Sequence, residues 1–174
     1  MSMGFTPVSG IMMSTRSGDL EPGVLTYLAT QKHMTTGAIS HLLSHQSGLL
    51  GVSEMTADMH ALLNAQRQHP QAALAIDLFC YKIKKQIGAY AAALGGVDSI
   101  IFSGGIGERS AEIRERICHG LSFLGIVIEE SRNRENSRFI GTDGSITGVH
   151  VIPAREEYSI ITQTIAVINQ GVPA

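Results

Sequence analysis

The stretch from Pro70 to Ser103 constrains the fold most. Between Pro70 and Leu94, apolar residues recur at Ala72, Ile76, Phe79, Cys80, Ile83, Ile87, Ala91 and Leu94. Steps of three and four place them on one face of a long helix. Gly95-Gly96 ends it, because glycine enters the left-handed conformation of a helix C-terminus at little cost. Ser99-Ile100-Ile101-Phe102-Ser103 then reads as a short buried strand. It runs into Gly104-Gly105-Ile106-Gly107-Glu108, and a helix follows over about residues 110–120, with Ile113, Ile117 and Leu121 inward. Helix, strand, glycine turn and helix make an α/β order that calls for a second parallel strand. Residues 149–152 supply it, before a last helix over about 158–169.

Elsewhere the signals are shorter. Residues 10–14 read as a strand, and the dense turn from Thr15 to Pro22 leads into a helix over about 23–32. Thr35 or Thr36 caps a helix through His45, with Ile39, Leu42 and Leu43 on one face. Ser47-Gly48-Leu49-Leu50-Gly51 reads as a glycine-punctuated loop. Ser53 or Thr56 caps a helix over about 58–68, and residues 129–136 read as polar loop. No internal repeat, low-complexity tract or linker divides the 174 residues, so a single domain over residues 1–174 is expected.

Composition excludes several classes. Hydrophobic residues are 44% and charged residues 16%, unlike a disordered chain. Thirteen basic against fifteen acidic residues give a net charge of −2. That balance, with no basic stripe, argues against nucleic acid as partner. No window approaches the ~18 consecutive apolar residues of a membrane span, and the first residues show no basic, apolar leader. A cytoplasmic protein away from membranes is expected, with Cys80 and Cys118 as buried thiols rather than a disulfide.

Three motifs fall where strands end, which is where ligands bind in parallel sheets. Arg16 lies in a tight loop between Thr15 and Ser17-Gly18. Its guanidinium either grips a carboxylate or phosphate by two parallel hydrogen bonds or is simply solvated. The glycines at 104, 105 and 107 either admit a ligand, an anion by preference, to the backbone or serve only the turn. Glu156 and Glu157 either complement a helix dipole or hold a hard cation. Asp58 suits a helix N-cap. His41 and His45 are four apart, yet no acidic residue or third ligand accompanies them, so they read as surface or interface residues rather than zinc ligands.

Taken in order, the segments resemble the acetate kinase family, which includes propionate and butyrate kinases. The resemblance rests on Gly4-Phe5-Thr6-Pro7, Met12-Met13-Ser14-Thr15-Arg16-Ser17-Gly18-Asp19-Leu20-Glu21-Pro22 and Ser47-Gly48-Leu49-Leu50-Gly51. It continues through Asp58-Met59, Gly96-Val97-Asp98, Gly105-Ile106-Gly107-Glu108, Ile152-Pro153 and Glu156-Glu157. The family implies an α/β fold of the ribonuclease H-like, actin-like ATPase type. It implies transfer of the γ-phosphoryl group of ATP, with Mg²⁺, to acetate or another short-chain carboxylate. By that likeness Arg16 matches the arginine that stabilises the phosphoryl group in flight, and Glu156 the glutamate on the Mg²⁺ side. Gly105, Ile106, Gly107, Glu108 and Arg109 match the nucleotide-binding turn, and Asp58, Met59 and His60 a second stretch around adenosine. A homodimer is implied as well.

The likeness has departures. His60 stands where the family usually has arginine, Arg109 where it has asparagine, and Ala154-Arg155 where it has Thr-Asn. The family's catalytic aspartate, phosphate-side histidine, Mg²⁺-side asparagine, substrate-side arginine and His-Leu-Gly-Asn-Gly loop have no counterpart here. They belong to an N-terminal domain, and two strands of the present domain also precede Gly4 in the family pattern. An incomplete domain that is inactive alone is therefore expected. The alternatives are a non-catalytic module that self-associates through its open sheet edge, and a fragment of a propionate or butyrate kinase. A small phosphatase using Glu156, Glu157 and a metal would require the likeness to be accidental.

Overall fold

Proline and glycine set the ends of the longest described helix, over Pro70–Leu94. The computed structural model describes residues 4–170, with the side chains of Glu156, Asn169 and Gln170 outside that description. The chain divides into two compact units, Met1–Gly96 and Val97–Ala174.

The first unit is helical: α1 (Pro22–Thr30), α2 (Thr36–His45), α3 (Gly48–Ser53), α4 (Met59–Ala65) and α5 (Pro70–Leu94). Pro22 and Pro70 open α1 and α5, where the missing N–H costs nothing. Thr35 Oγ1 accepts from the Ala38 N–H at 3.2 Å, and Asp58 Oδ1 from the His60 N–H at 2.9 Å, capping α2 and α4. Gly95, at φ +76°, closes α5. Helices α3 and α4 pack against α5. Leu49, Leu62, Ala72, Ala75 and Ile76 are fully buried there. Each large aliphatic side chain so buried contributes about 1.5–3 kcal/mol. Leu94, expected inward, is 77% exposed because the last turn of α5 runs past its packing partners. Cys80 is buried, as expected.

Two local expectations are corrected. Residues 10–14 form no strand. The Met13 and Ser14 carbonyls instead accept from the N–H groups of Leu49 and Leu50, at 2.9 and 3.0 Å. Those donors are the first-turn orphans of α3. The Ser47–Gly51 segment is not a loop, since α3 begins at Gly48. Tertiary pairing with the 13–14 backbone outweighs the glycine-rich local signal.

The second unit holds β1 (Ser99–Phe102) and β2 (Gly148–Val151), paired in parallel with Ser99 opposite Gly148 and Phe102 opposite Val151. Four helices accompany them: α6 (Gly104–Arg109), α7 (Ala111–Cys118), α8 (Glu130–Arg134) and α9 (Glu156–Gln170). Val149, Val151, Phe102, Ile113, Ile117, Leu121, Ile126 and Ile140 form the core. The expected α/β order and the inward set Ile113, Ile117 and Leu121 are observed, and Cys118 is buried without a disulfide.

Three readings change here. The β1 strand is not buried throughout. Ile101 is 58% exposed, because a two-stranded sheet offers its outer strand no second layer from within the unit. The glycine turn is itself the helix α6. The polar stretch after residue 128 forms α8, because Glu129 caps it, accepting from the N–H groups of Ser131 and Arg132. On α9, Tyr158, Ile160, Ile161, Ile165, Val167 and Ile168 are each more than half exposed.

Candidate functional site

In the first unit backbone hydrogen bonds fix the Thr15–Asp19 loop. The Met13 N–H donates to the Arg16 carbonyl at 3.0 Å, the Ser17 N–H to Leu43 at 3.0 Å, and the Asp19 N–H to Gly10 at 2.7 Å. Asp19 Oδ1 accepts in return from the Gly10 N–H and the Ser9 hydroxyl, at 2.7 and 3.1 Å. Gly48 locks the loop from beneath. It has φ +64°, and a Cβ there would collide with the carbonyls of Met13 and Arg16. Arg16 itself is half-buried, and its one side-chain hydrogen bond among the described residues is a long one, Nη1 to the Pro7 carbonyl at 3.4 Å. Most of its planar fork is therefore open to a carboxylate or phosphate. The loop positions it, and no carboxylate pairs with it among the described residues.

The Asp58–His60 stretch plays mixed roles. Asp58 Oδ1 is occupied as the cap of α4. Met59 is 5% exposed and packs in the core. His60 is exposed, with Nδ1 at 3.4 Å from the Asn64 amide nitrogen. Of the three, His60 and the second carboxylate oxygen of exposed Asp58 are left to meet a ligand. A hollow of about 450 Å³ in this unit lies beside α1, lined among others by Met12, Asp19, Leu28 and Lys82, and none of Arg16, Asp58 and His60 lines it.

In the second unit the parallel pairing brings two motifs to one end of the sheet. The Ile152 N–H continues the ladder by donating to the Phe102 carbonyl at 2.9 Å, so the chain leaves β1 and β2 side by side. Immediately beyond, Glu108 Oε1 accepts from the Gly104 N–H and from the Ala154 N–H, both at 2.8 Å. The carboxyl is held below its usual range. The Ala154 N–H is the chief cause, partial burial opposes it, and the Gly104 N–H, Arg109 and Ser103 add to it. Glu108 thus spends its charge inside the protein, and Ile106 and Gly107 are half-buried. Gly104 needs its glycine for φ +75°, whereas a Cβ on exposed Gly105 would meet open space. Bare backbone at Gly104 and Gly105 with free room in front of it suits a flat or extended ligand such as a nucleotide. Arg109 is exposed at the end of α6.

Sequence reasoning missed Arg114, the largest fully buried side chain. Its guanidinium donates from Nη1 to the Gly107 and Glu108 carbonyls at 2.8 and 3.0 Å, and from Nη2 to Asn136 Oδ1 at 2.7 Å. It holds Asn133 by two further bonds. Burial pulls its pKa below the ordinary arginine value. The signal was present, since Arg114 sits on the apolar stripe of α7 between Ile113 and Ile117. A cation on such a stripe needs a built set of acceptors.

For Mg²⁺ the donor chemistry is partial. Among the described residues no three His, Cys, Asp or Glu side chains gather as a metal site. Mg²⁺ keeps several waters and takes one or two carboxylates, so a single glutamate at the start of α9 fits the protein's share. Glu156 occupies that position, its side chain outside the described residues, and Glu157 beside it is exposed. Among the described residues no helix is long and apolar enough to cross a membrane.

Solved structures identify the architecture. The chain matches the acetate kinase of Porphyromonas gingivalis with a TM-score of 0.87 at 42% identity, over 96% of this chain and 43% of that one. It matches the propionate kinase of Francisella tularensis with a TM-score of 0.85 at 34% identity, over 91% of this chain and 41% of that one. The architecture is that of the acyl-carboxylate kinases, an incomplete α/β domain of the ribonuclease H-like type. A profile described as the acetokinase family matches residues 1–162, and the chain belongs to that family. An acetate kinase of Phocaeicola vulgatus is 44% identical over 97% of this chain and 43% of its own length. A propionate kinase of Citrobacter freundii is 42% identical over 99% of this chain and 44% of its own. The chain thus spans less than half the length of these relatives.

Proposed function

We propose that residues 1–174 are the C-terminal nucleotide-binding domain of an acetate kinase. Joined by an N-terminal half, the domain serves transfer of the γ-phosphoryl group from ATP to acetate or propionate. A carboxylate oxygen forms a bond to the γ-phosphorus, the bond to the β–γ bridging oxygen breaks, and ADP leaves with that electron pair. Arg16 stabilises the phosphoryl group between donor and acceptor, where negative charge spreads over its equatorial oxygens. Gly105 to Arg109 seat the adenosine end against bare backbone, and Asp58 to His60 match the family's second adenosine-side stretch. Glu156 takes the Mg²⁺ side, and the ion's chemistry is to neutralise charge on the phosphate oxygens. A homodimer and a cytoplasmic setting complete the reading.

The observation that carries it is the family match across residues 1–162 with Arg16 intact and its fork open. The test is acetyl phosphate formation, trapped as the hydroxamate. The chain alone gives none. The chain mixed with the N-terminal half of a related acetate kinase gives product, and Arg16→Ala lowers the rate about a thousandfold. Turnover by the chain alone that survives Arg16→Ala overturns the assignment.

A further inference from the structure

We propose that Glu108 is a positioning residue, a strap whose single carboxylate oxygen fixes the glycine helix α6 to the loop that leads into Glu156 at the start of α9. The inference rests on the nucleotide and Mg²⁺ sides assigned above, and it adds how the two are held in register.

The geometry is specific. Glu108 Oε1 receives the Gly104 N–H from its own helix and the Ala154 N–H from the other crossover, both at 2.8 Å. One donor is an orphan at the start of α6, and the other lies in the loop two residues before α9 begins. Charge-assisted bonds of this kind are stronger than neutral ones and fix direction. The far end of α6 is held separately, by Arg114 on the Gly107 and Glu108 carbonyls. Removing the Glu108 carboxylate therefore leaves α6 anchored and frees the 153–155 loop from it. The nucleotide turn keeps its place, and Glu156 loses its reference to that turn. Supporting groups around a metal ligand commonly set metal affinity by an order of magnitude or more.

The test uses Glu108→Ala, with Glu108→Gln as the conservative variant whose amide oxygen can still accept both N–H groups. Two readouts are taken on the full chain. In the first, amide hydrogen exchange at Ala154 rises about tenfold in Glu108→Ala, while Val149 in the core strand stays protected and reports that the fold is intact. In the second, ATP affinity is measured by calorimetry with Mg²⁺ and with chelator. The Mg²⁺-dependent gain falls about tenfold in Glu108→Ala, by more than the affinity in chelator falls, and Glu108→Gln restores most of the gain. Unchanged exchange at Ala154 overturns the strap. An equal fall with and without Mg²⁺ overturns it too, and makes Glu108 a direct nucleotide contact. If the unaltered chain binds no ATP, the nucleotide reading fails, and the exchange result alone decides the strap. If Glu108→Ala does not fold, Glu108→Leu, which keeps the bulk and has no acceptor, decides it through the same two readouts.

Discussion

Arg114 and Asn133 are joined twice, Nε to the Asn133 side-chain oxygen at 2.8 Å and Nη2 to its backbone carbonyl at 2.6 Å. The pair links α7 to α8, and Asn133 Nδ2 returns a bond to the Ala111 carbonyl at 2.9 Å. The five hydrogen bonds of the buried guanidinium all reach neutral oxygens. Lysine carries its charge at a point and cannot reproduce the planar fork. Arg114→Lys should therefore cost about 3 kcal/mol or more, because buried acceptors and a buried charge are both left short. Urea denaturation of the two proteins measures it, and a loss under about 0.5 kcal/mol would show that the network is not needed.

Two glycines in recognised motifs should respond oppositely to alanine. Gly48 has φ +64° and no room for a Cβ against the Arg16 loop. Gly48→Ala should destabilise by about 2 kcal/mol or more. At Gly105 the Cβ meets open space, so Gly105→Ala should lie within about 0.5 kcal/mol of the parent. Thermal unfolding of both variants checks the contrast, and equal losses would contradict it.

Asp58 separates a cap from a ligand contact. Asparagine caps a helix as well as aspartate, whereas alanine loses about 1 kcal/mol. Asp58→Asn should keep stability and Asp58→Ala should not. A fall in nucleotide affinity in Asp58→Asn with stability retained would show that the Asp58 charge meets the ligand. Retained affinity in Asp58→Asn would leave capping as its role.

The Glu108 strap should weaken only in acid. Its folded carboxyl lies below the ordinary range, chiefly through the Ala154 N–H. The stabilisation is present above the unfolded value, near ~4.3 for glutamate. It is lost as pH falls through the lower folded value. A carbon-detected NMR titration of Glu108 should give a midpoint below the ordinary glutamate value. A midpoint at or above it would contradict the two N–H bonds.

Much of the fold was legible because it depends on period and punctuation. Helix α5 spans Pro70–Leu94 as its apolar spacing and flanking proline and glycine required. The strand pair and the inward set on α7 follow from β-branched runs and steps of three and four. What failed was local signal overridden at a distance. The 10–14 backbone binds the start of α3 rather than a strand, and no reading of neighbours along the chain shows that 13 and 49 meet. Local sequence singled out Arg16 and the Gly104–Glu108 turn as candidates. It did not show that Glu108 turns inward to Ala154, or that Met59 packs in the core while His60 faces out. Those roles depend on side-chain direction, which is set only when the elements pack.

The central claim is that this chain holds a nucleotide pocket of its own. Calorimetric titration of the purified chain with Mg·ATP tests it most directly, with Gly105→Asp as the control. The aspartate fits the open space at that position and places negative charge and bulk where the nucleotide is assigned. The account predicts saturable binding by the chain and its loss in a folded Gly105→Asp. Equal binding by both would remove the nucleotide from the glycine helix, and no binding by a folded chain would contradict the claim.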